Sequence, residues 1–129
     1  MPKSIDELLE EARTRLHRVT PAEAAAAAQS GEAVIVDIRA DSQIAEDGGV
    51  PEARRIPRNV LEWRLDPACE HRDPELASYD RRVILMCNEG YQSSLAAATL
   101  KDLGIESATD MIGGFQAWVD AGLPRREPG

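Results

Sequence analysis

Residues 83–104 read Val-Ile-Leu-Met-Cys-Asn-Glu-Gly-Tyr-Gln-Ser-Ser-Leu-Ala-Ala-Ala-Thr-Leu-Lys-Asp-Leu-Gly, and the fold is decided there. Four apolar residues, Val83 to Met86, follow the charged pair Arg81-Arg82 and end in Cys87. Such a run suits a central strand buried on both faces of a sheet. Asn88 to Gln92 is short and polar and contains Gly90, which predicts a tight loop. From Ser93 to Leu103 the pattern is helical. Ser93 or Ser94 suits the N-cap, and Gly104 suits the position just past the C-cap. The predicted unit is strand, cysteine, loop, helix.

That order of elements carries a chemical expectation. The first N–H groups of a helix have no intrahelical acceptor and point at whatever precedes the helix. Loop amides can converge on the same point and form an anion-binding nest. Cys87 stands where both would aim, so a thiolate there would be held by N–H groups, as would an anion attached to its sulfur, such as a persulfide. A buried structural cysteine is the plain alternative, because free cysteines are among the most buried residue types. The strand, the Gly-containing loop and the Ser-led helix around Cys87 favour the chemical reading.

Bulk properties narrow the class. A chain of 129 residues fits one domain and is long enough to bury a core without disulfides or a structural metal. The net charge of −8 argues against a nucleic acid or an anionic membrane as partner, since both call for a basic surface. Cys69 and Cys87 are far apart and form no C-x-x-C pair, so neither a thioredoxin-type site nor a zinc ribbon is expected. Two cysteines in so large a domain predict a reducing, cytoplasmic setting. The residues Met1 to Glu7 turn acidic at once and show no signal peptide, and no run is long enough to span a bilayer.

Along the rest of the chain, Ser4 and Glu7 form a capping-box pattern ahead of Ile5, Leu8, Leu9, Ala12 and Leu16, which predicts a helix over 5–16. Its apolar face should pack on the domain, and its charged face, with Glu10, Glu11, Arg13 and Arg15, should be solvated. Val19 suits a short edge strand. Thr20-Pro21-Ala22-Glu23 starts a second capped helix through the alanine run, ended by Ser30-Gly31. Ala33 to Val36 reads as a buried strand leading to Asp37 and Arg39. Polar residues at the carboxyl end of such a strand either face a ligand crevice or bond nearby loop backbone and charges. A long connection over 40–55 contains one helical turn at Ser42 to Ala45, and a short strand precedes Pro57. A helix is expected over Asn59 to Leu65, with Trp63 as a core anchor, and another from Asp73-Pro74 to Tyr79. Cys69 and His71 are too few for a metal site. The last strand is expected at 108–112, a helix follows Gly113-Gly114, and Pro124 to Gly129 forms a tail. Alternating strands and helices predict an α/β fold with a mostly parallel central sheet and helices on both faces.

Taken together, these residues resemble the rhodanese-homology family. Asp37-Ile38-Arg39 matches an Asp-x-Arg that ends an early strand. Gly48 to Ala53 followed by Ile56-Pro57 resembles Gly-His-Ile-Pro-Gly-Ala with its Ile-Pro. Cys87 to Ser93 resembles the active-site loop Cys-x-x-Gly-x-Arg-Ser, and Gly113-Gly114 with Trp118 resembles the closing Gly-Gly-x-x-x-Trp. The match covers about 18–124. It divides the chain into an N-terminal helical extension, 1–17, and a rhodanese-like domain, 18–129.

The resemblance implies sulfur transfer without a cofactor or metal. Cys87 would take a sulfane sulfur from a small donor as a persulfide and pass it to a thiol or cyanide-like acceptor. A sulfur-delivering protein is a further partner of the same kind. Asn88, Glu89, Gly90, Tyr91, Gln92 and Ser93 would hold the persulfide, with Asp37 and Arg39 in support. The chain departs from the pattern at Gln92, where the family has Arg, at Gly49 for His and at Glu52 for Gly. Losing the Arg removes a bidentate anion clamp and implies weak use of thiosulfate. A rhodanese-like interaction module without turnover is the non-enzymatic alternative. Cysteine-dependent phosphatase chemistry needs a loop one residue longer, closed by an Arg that this loop lacks.

Overall fold

The structure is a computed structural model and describes residues 1–128; Gly129, the last residue of the expected tail, lies outside the described residues. Four strands form one parallel sheet: β1 (Val34–Asp37), β2 (Arg54–Arg55), β3 (Val83–Met86) and β4 (Thr109–Asp110), in the order β2-β1-β3-β4. β1 pairs with β3 from Val34 opposite Val83 to Asp37 opposite Met86. The chain leaves β1 toward β2 on one side and later adds β3 on the other. The carboxyl ends of β1 and β3 therefore flank the point where strand order reverses, the usual place for a ligand crevice in such sheets. Cys87 follows directly after β3.

Two-residue alternation sorts the strands' side chains into two cores. Val83, Leu85 and Cys87 join Val36 and Ile38 in one, with Leu61, Leu65, Ala96, Ala97 and Leu100. Ile84, Met86 and Ile35 join the other, with Ala24, Ala27, Phe115 and Trp118. The first core is closed by α4 (Leu61–Leu65) and α5 (Gln92–Asp102), the second by α2 (Pro21–Ser30) and α6 (Gly114–Asp120). The sheet is thus covered on both faces, as its apolar strands require. The alternation also decides that the Cys87 side chain points to the α5 side.

The capping signals hold. Ser4 with Glu7 and Thr20 with Glu23 form reciprocal capping boxes on α1 (Ile5–Thr14) and α2. Gly31, at φ +83, ends α2, and Gly104, at φ +102, follows α5. Val19 makes a single parallel bridge to Met111 rather than a strand. The turn expected near Ser42 is the longer α3 (Asp41–Asp47).

Several readings are corrected. No helix runs from Asp73 to Tyr79; Asp73 accepts the Glu75 N–H at 2.9 Å and spends its capping capacity on a turn. Trp63 is 56% exposed, because α4 is little more than one turn and buries Leu61 and Leu65 instead. The core tryptophan is Trp118, whose indole N–H donates to the Pro124 carbonyl at 2.8 Å. The C-terminal tail is tied back, with Arg126 and Gly49 exchanging backbone hydrogen bonds. Among the described residues no helix is long and apolar enough to cross a membrane.

Candidate active site

The Cys87 sulfur is buried at the head of the loop 87–91. The Gly90 N–H donates to it at 3.1 Å, and the thiol donates to the Ser93 hydroxyl at 3.3 Å. Gly90 reaches this position with φ +86, in the left-handed region. A Cβ there would also lie 2.7 Å from the Gly113 nitrogen. Gly114 is tighter still, since a Cβ on it would overlap the Cys87 carbonyl. The Gly-Gly turn therefore packs backbone against backbone on the cysteine loop. α6 begins there and fixes the loop further. The Phe115 N–H donates to the Cys87 carbonyl at 2.9 Å, and the Gln116 N–H to the Asn88 carbonyl at 3.1 Å.

α5 starts two or three residues earlier than a Ser93 or Ser94 N-cap predicts. Tyr91 holds the N-cap position without a side-chain cap, so neither Ser93 nor Ser94 caps the helix. Both lie in its first turn, fully buried, and both hydroxyls donate to Asp110 Oδ2 at 2.7 Å. Asp110 ends β4 and has no exposed surface. Arg18 closes the group from the far side, with Nε 2.8 Å from Oδ1 and a terminal nitrogen 3.1 Å from Oδ2. The Val19–Met111 bridge sets Arg18 there, through a Val19 N–H that donates to the Asp110 carbonyl.

Arg13, expected in solvent, also turns inward. It donates to the Ser94 hydroxyl at 3.1 Å and to the Gly90 carbonyl at 2.8 Å. Arg18 donates to that same carbonyl at 3.0 Å. Gly90 thus offers its N–H to the sulfur and its C=O to two guanidinium groups. The exposed Tyr91 ring lies 5.8 Å below the Arg13 guanidinium carbon.

The expected residues of the loop divide into three sets. Gly90 and Ser93 touch the sulfur; Asn88 and Tyr91 shape the loop; Glu89 and Gln92 are exposed at its rim. Asp37 and Arg39 stand apart from the sulfur. They form a buried two-point ion pair at 3.0 and 2.7 Å, and Arg39 also donates to the Gly48 carbonyl. Arg13, Arg18, Ser94 and Asp110 were not picked out from the sequence. For Asp110 a signal existed, an acid inside a short apolar strand, the same signal that marks Asp37. The two arginines carry no local signal at all. Cys69 sits half-exposed in the turn after α4, and among the described residues its sulfur accepts only the His71 N–H, at 3.4 Å.

Known proteins share this fold. The model of the rhodanese-like domain matches residues 20–121, and the chain belongs to that family. It is 30% identical over 97 residues to a sulfurtransferase from Allochromatium vinosum, covering 75% of this chain and 81% of that protein. It is 31% identical over 106 residues to the thiosulfate sulfurtransferase GlpE of Haemophilus influenzae, covering 82% and 90%. A solved structure from Rhodopseudomonas palustris superposes with a TM-score of 0.88 at 35% identity over 98% of this chain and 96% of that one. That protein is described as of unknown function and a possible tyrosine phosphatase. The polysulfide-sulfur transferase of Wolinella succinogenes shares the fold, with a TM-score of 0.74 at 20% identity over 91% of this chain and 82% of that one.

Proposed function

We propose that the protein is a sulfurtransferase or persulfide carrier working through Cys87. The Cys87 thiolate attacks the sulfane sulfur of a donor. The donor's bond to that sulfur breaks, and the leaving group departs with the electron pair. The sulfur stays on Cys87 as an anionic persulfide. A thiol or cyanide-like acceptor then attacks the outer sulfur, the S–S bond breaks, and the thiolate returns. This is nucleophilic catalysis with the Gly90 N–H already aimed at the sulfur. Asn88, Glu89, Tyr91 and Gln92 line the rim through which donor and acceptor arrive, and a sulfur-delivering protein would dock at the same rim. The cytoplasm suits a site that needs a free thiol.

The observation that carries this reading is the Gly90 N–H aimed at the Cys87 sulfur at 3.1 Å, at the strand-order reversal of the sheet. The family and its members named sulfurtransferase support it. Phosphate chemistry is disfavoured, because the rim carries Glu89 and Gln92 where a phosphate would need a cation. Thiosulfate, a dianion, should be a weak donor for the same reason, and a less charged thiol persulfide a better one.

Intact mass after incubation with a thiol persulfide tests the reading. The native protein and Cys69→Ser should gain one sulfur, and Cys87→Ser should gain none. Loading that survives Cys87→Ser but disappears with Cys69→Ser would put the chemistry at the wrong cysteine.

A further inference from the structure

The rim lacks the family's loop arginine, yet two guanidinium groups reach the loop from behind. One comes from α1 and the other from the segment between α1 and α2. We propose that Arg13 and Arg18 are positioning residues of the Cys87 site and supply from within the fold the positive charge that Gln92 does not supply at the rim. The proposal rests on Cys87 as the reacting group.

Three observations converge. The first is geometric. Gly90 can aim its N–H at the sulfur only while its backbone keeps φ +86. Its carbonyl is gripped at 2.8 and 3.0 Å by two arginines, which holds that orientation. Charge-assisted hydrogen bonds of this kind are about twice as strong as neutral ones. The second is the hydroxyl order. Asp110, held at two points by Arg18, accepts a hydrogen bond from the Ser93 hydroxyl at 2.7 Å, so the Ser93 oxygen faces the thiol with a lone pair. When the sulfur is anionic, Ser93 can rotate its proton to the sulfur, because Ser94 and Arg18 still satisfy Asp110. The third is charge. Asp110 cancels one guanidinium; the other, Arg13, forms no ion pair among the described residues and is partly buried, where screening by water is weaker, with Asp6 and Glu10 lining the groove beside it.

α1 thereby becomes part of the site. It packs along α5, and its placement brings Arg13 across to Ser94 and Gly90. A helix serving only as a cover would need apolar contact there. α1 does bury Ala12, but Ile5 and Leu8 remain exposed while Arg13 turns inward.

The test is alkylation of Cys87 in the full chain on a Cys69→Ser background, using neutral iodoacetamide and anionic iodoacetate, followed by intact mass. The ratio of the two rates reports the potential at the sulfur, a quantity that a purely structural tie would leave alone. Arg13→Met should lower the iodoacetate-to-iodoacetamide ratio by about fivefold at low salt, and the effect should shrink as salt is added. Arg13→Lys should restore the ratio, since it keeps the charge. It should not restore the full iodoacetamide rate, since one ammonium cannot reproduce the two-point grip. Arg18→Met should show both losses. If that variant fails to fold, the two Arg13 variants still decide, because they leave the Asp110–Arg18 pair whole. An unchanged ratio and rate in folded Arg13→Met would overturn the proposal. So would a native Cys87 that neither reagent reaches. Alkylation is independent of sulfur uptake: a native protein that shows this charge pattern but takes up no sulfur would refute the transferase reading and leave this one standing.

Discussion

At the carboxyl edge of the sheet, Asp37 pairs with Arg39 and Asp110 pairs with Arg18, and both acids are buried. The first pair is closed. Arg39 returns to the acid two residues before it, bonds the Gly48 carbonyl, and places its guanidinium carbon 4.0 Å from the centre of the Phe115 ring. Its remaining terminal nitrogen has no hydrogen-bond partner among the described residues. The second pair is open. Asp110 accepts hydrogen bonds from Ser93 and Ser94, and Arg18 reaches on to Gly90, so the pair ends at the sulfur. Charge is alike in the two pairs and both acids are buried, with Arg18 slightly more exposed than Arg39. What differs is the third partner, and that partner separates scaffold from site.

Breaking each pair in turn gives the largest contrast. Arg39→Met strands a buried carboxylate and should cost about 3–5 kcal/mol of stability. Sulfur uptake per folded molecule should change little. Asp110→Asn keeps an oxygen for the serines and leaves Arg18 with some solvent, so it should cost less, about 1–3 kcal/mol. Its uptake rate should nevertheless fall the more sharply of the two. Urea unfolding and uptake kinetics on both variants check this, and equal effects on uptake would erase the distinction.

Adding a cation at the rim sharpens the comparison at smaller scale. Gln92→Arg should lower the thiosulfate KM by about tenfold, the lower end of what one charge-assisted hydrogen bond provides. The kcat should move less, because the clamp grips ground state and transition state alike. Steady-state kinetics at two ionic strengths would show it, and an unmoved KM would mean that position 92 does not meet the donor.

An exposed acid sets the lower bound. The Glu23 carboxylate accepts the Thr20 backbone N–H at 2.8 Å, and this bond, with help from the Thr20 hydroxyl, holds its pKa below the usual value. A lowered folded-state pKa contributes stability above the unfolded-state value and loses it as pH falls through the folded one. Glu23→Gln should therefore lower the Tm slightly at neutral pH, since Gln can still cap. The gap should close in acid. Melting curves at both pH values suffice, and a gap that widened in acid would contradict the capping account.

What could be read from the chain alone was what is encoded locally. The β3 run, the placement of Cys87, the two capping boxes and Gly104 each depend on neighbours a few residues away, and each is found as expected. The same logic failed where a local signal had two outcomes. Asp73-Pro74 made a turn instead of a helix, and Ser93 and Ser94 bond Asp110 instead of capping. Arg13 and Arg18 lay beyond local reading, because their partners at Gly90, Ser94 and Asp110 lie more than seventy residues along the chain. Their roles appear only once α1 and the Val19 bridge have docked.

The central claim is that sulfur passes through Cys87, and discharge of the loaded protein tests it most directly. Cys69→Ser protein carrying one added sulfur is freed of donor and mixed with cyanide, and thiocyanate is measured beside intact mass. Thiocyanate should appear in step with the loss of the added sulfur, one for one, and the recovered protein should load again. Sulfur that stays on the protein while cyanide is in excess would contradict the account, as would equal thiocyanate from Cys87→Ser carried through the same steps.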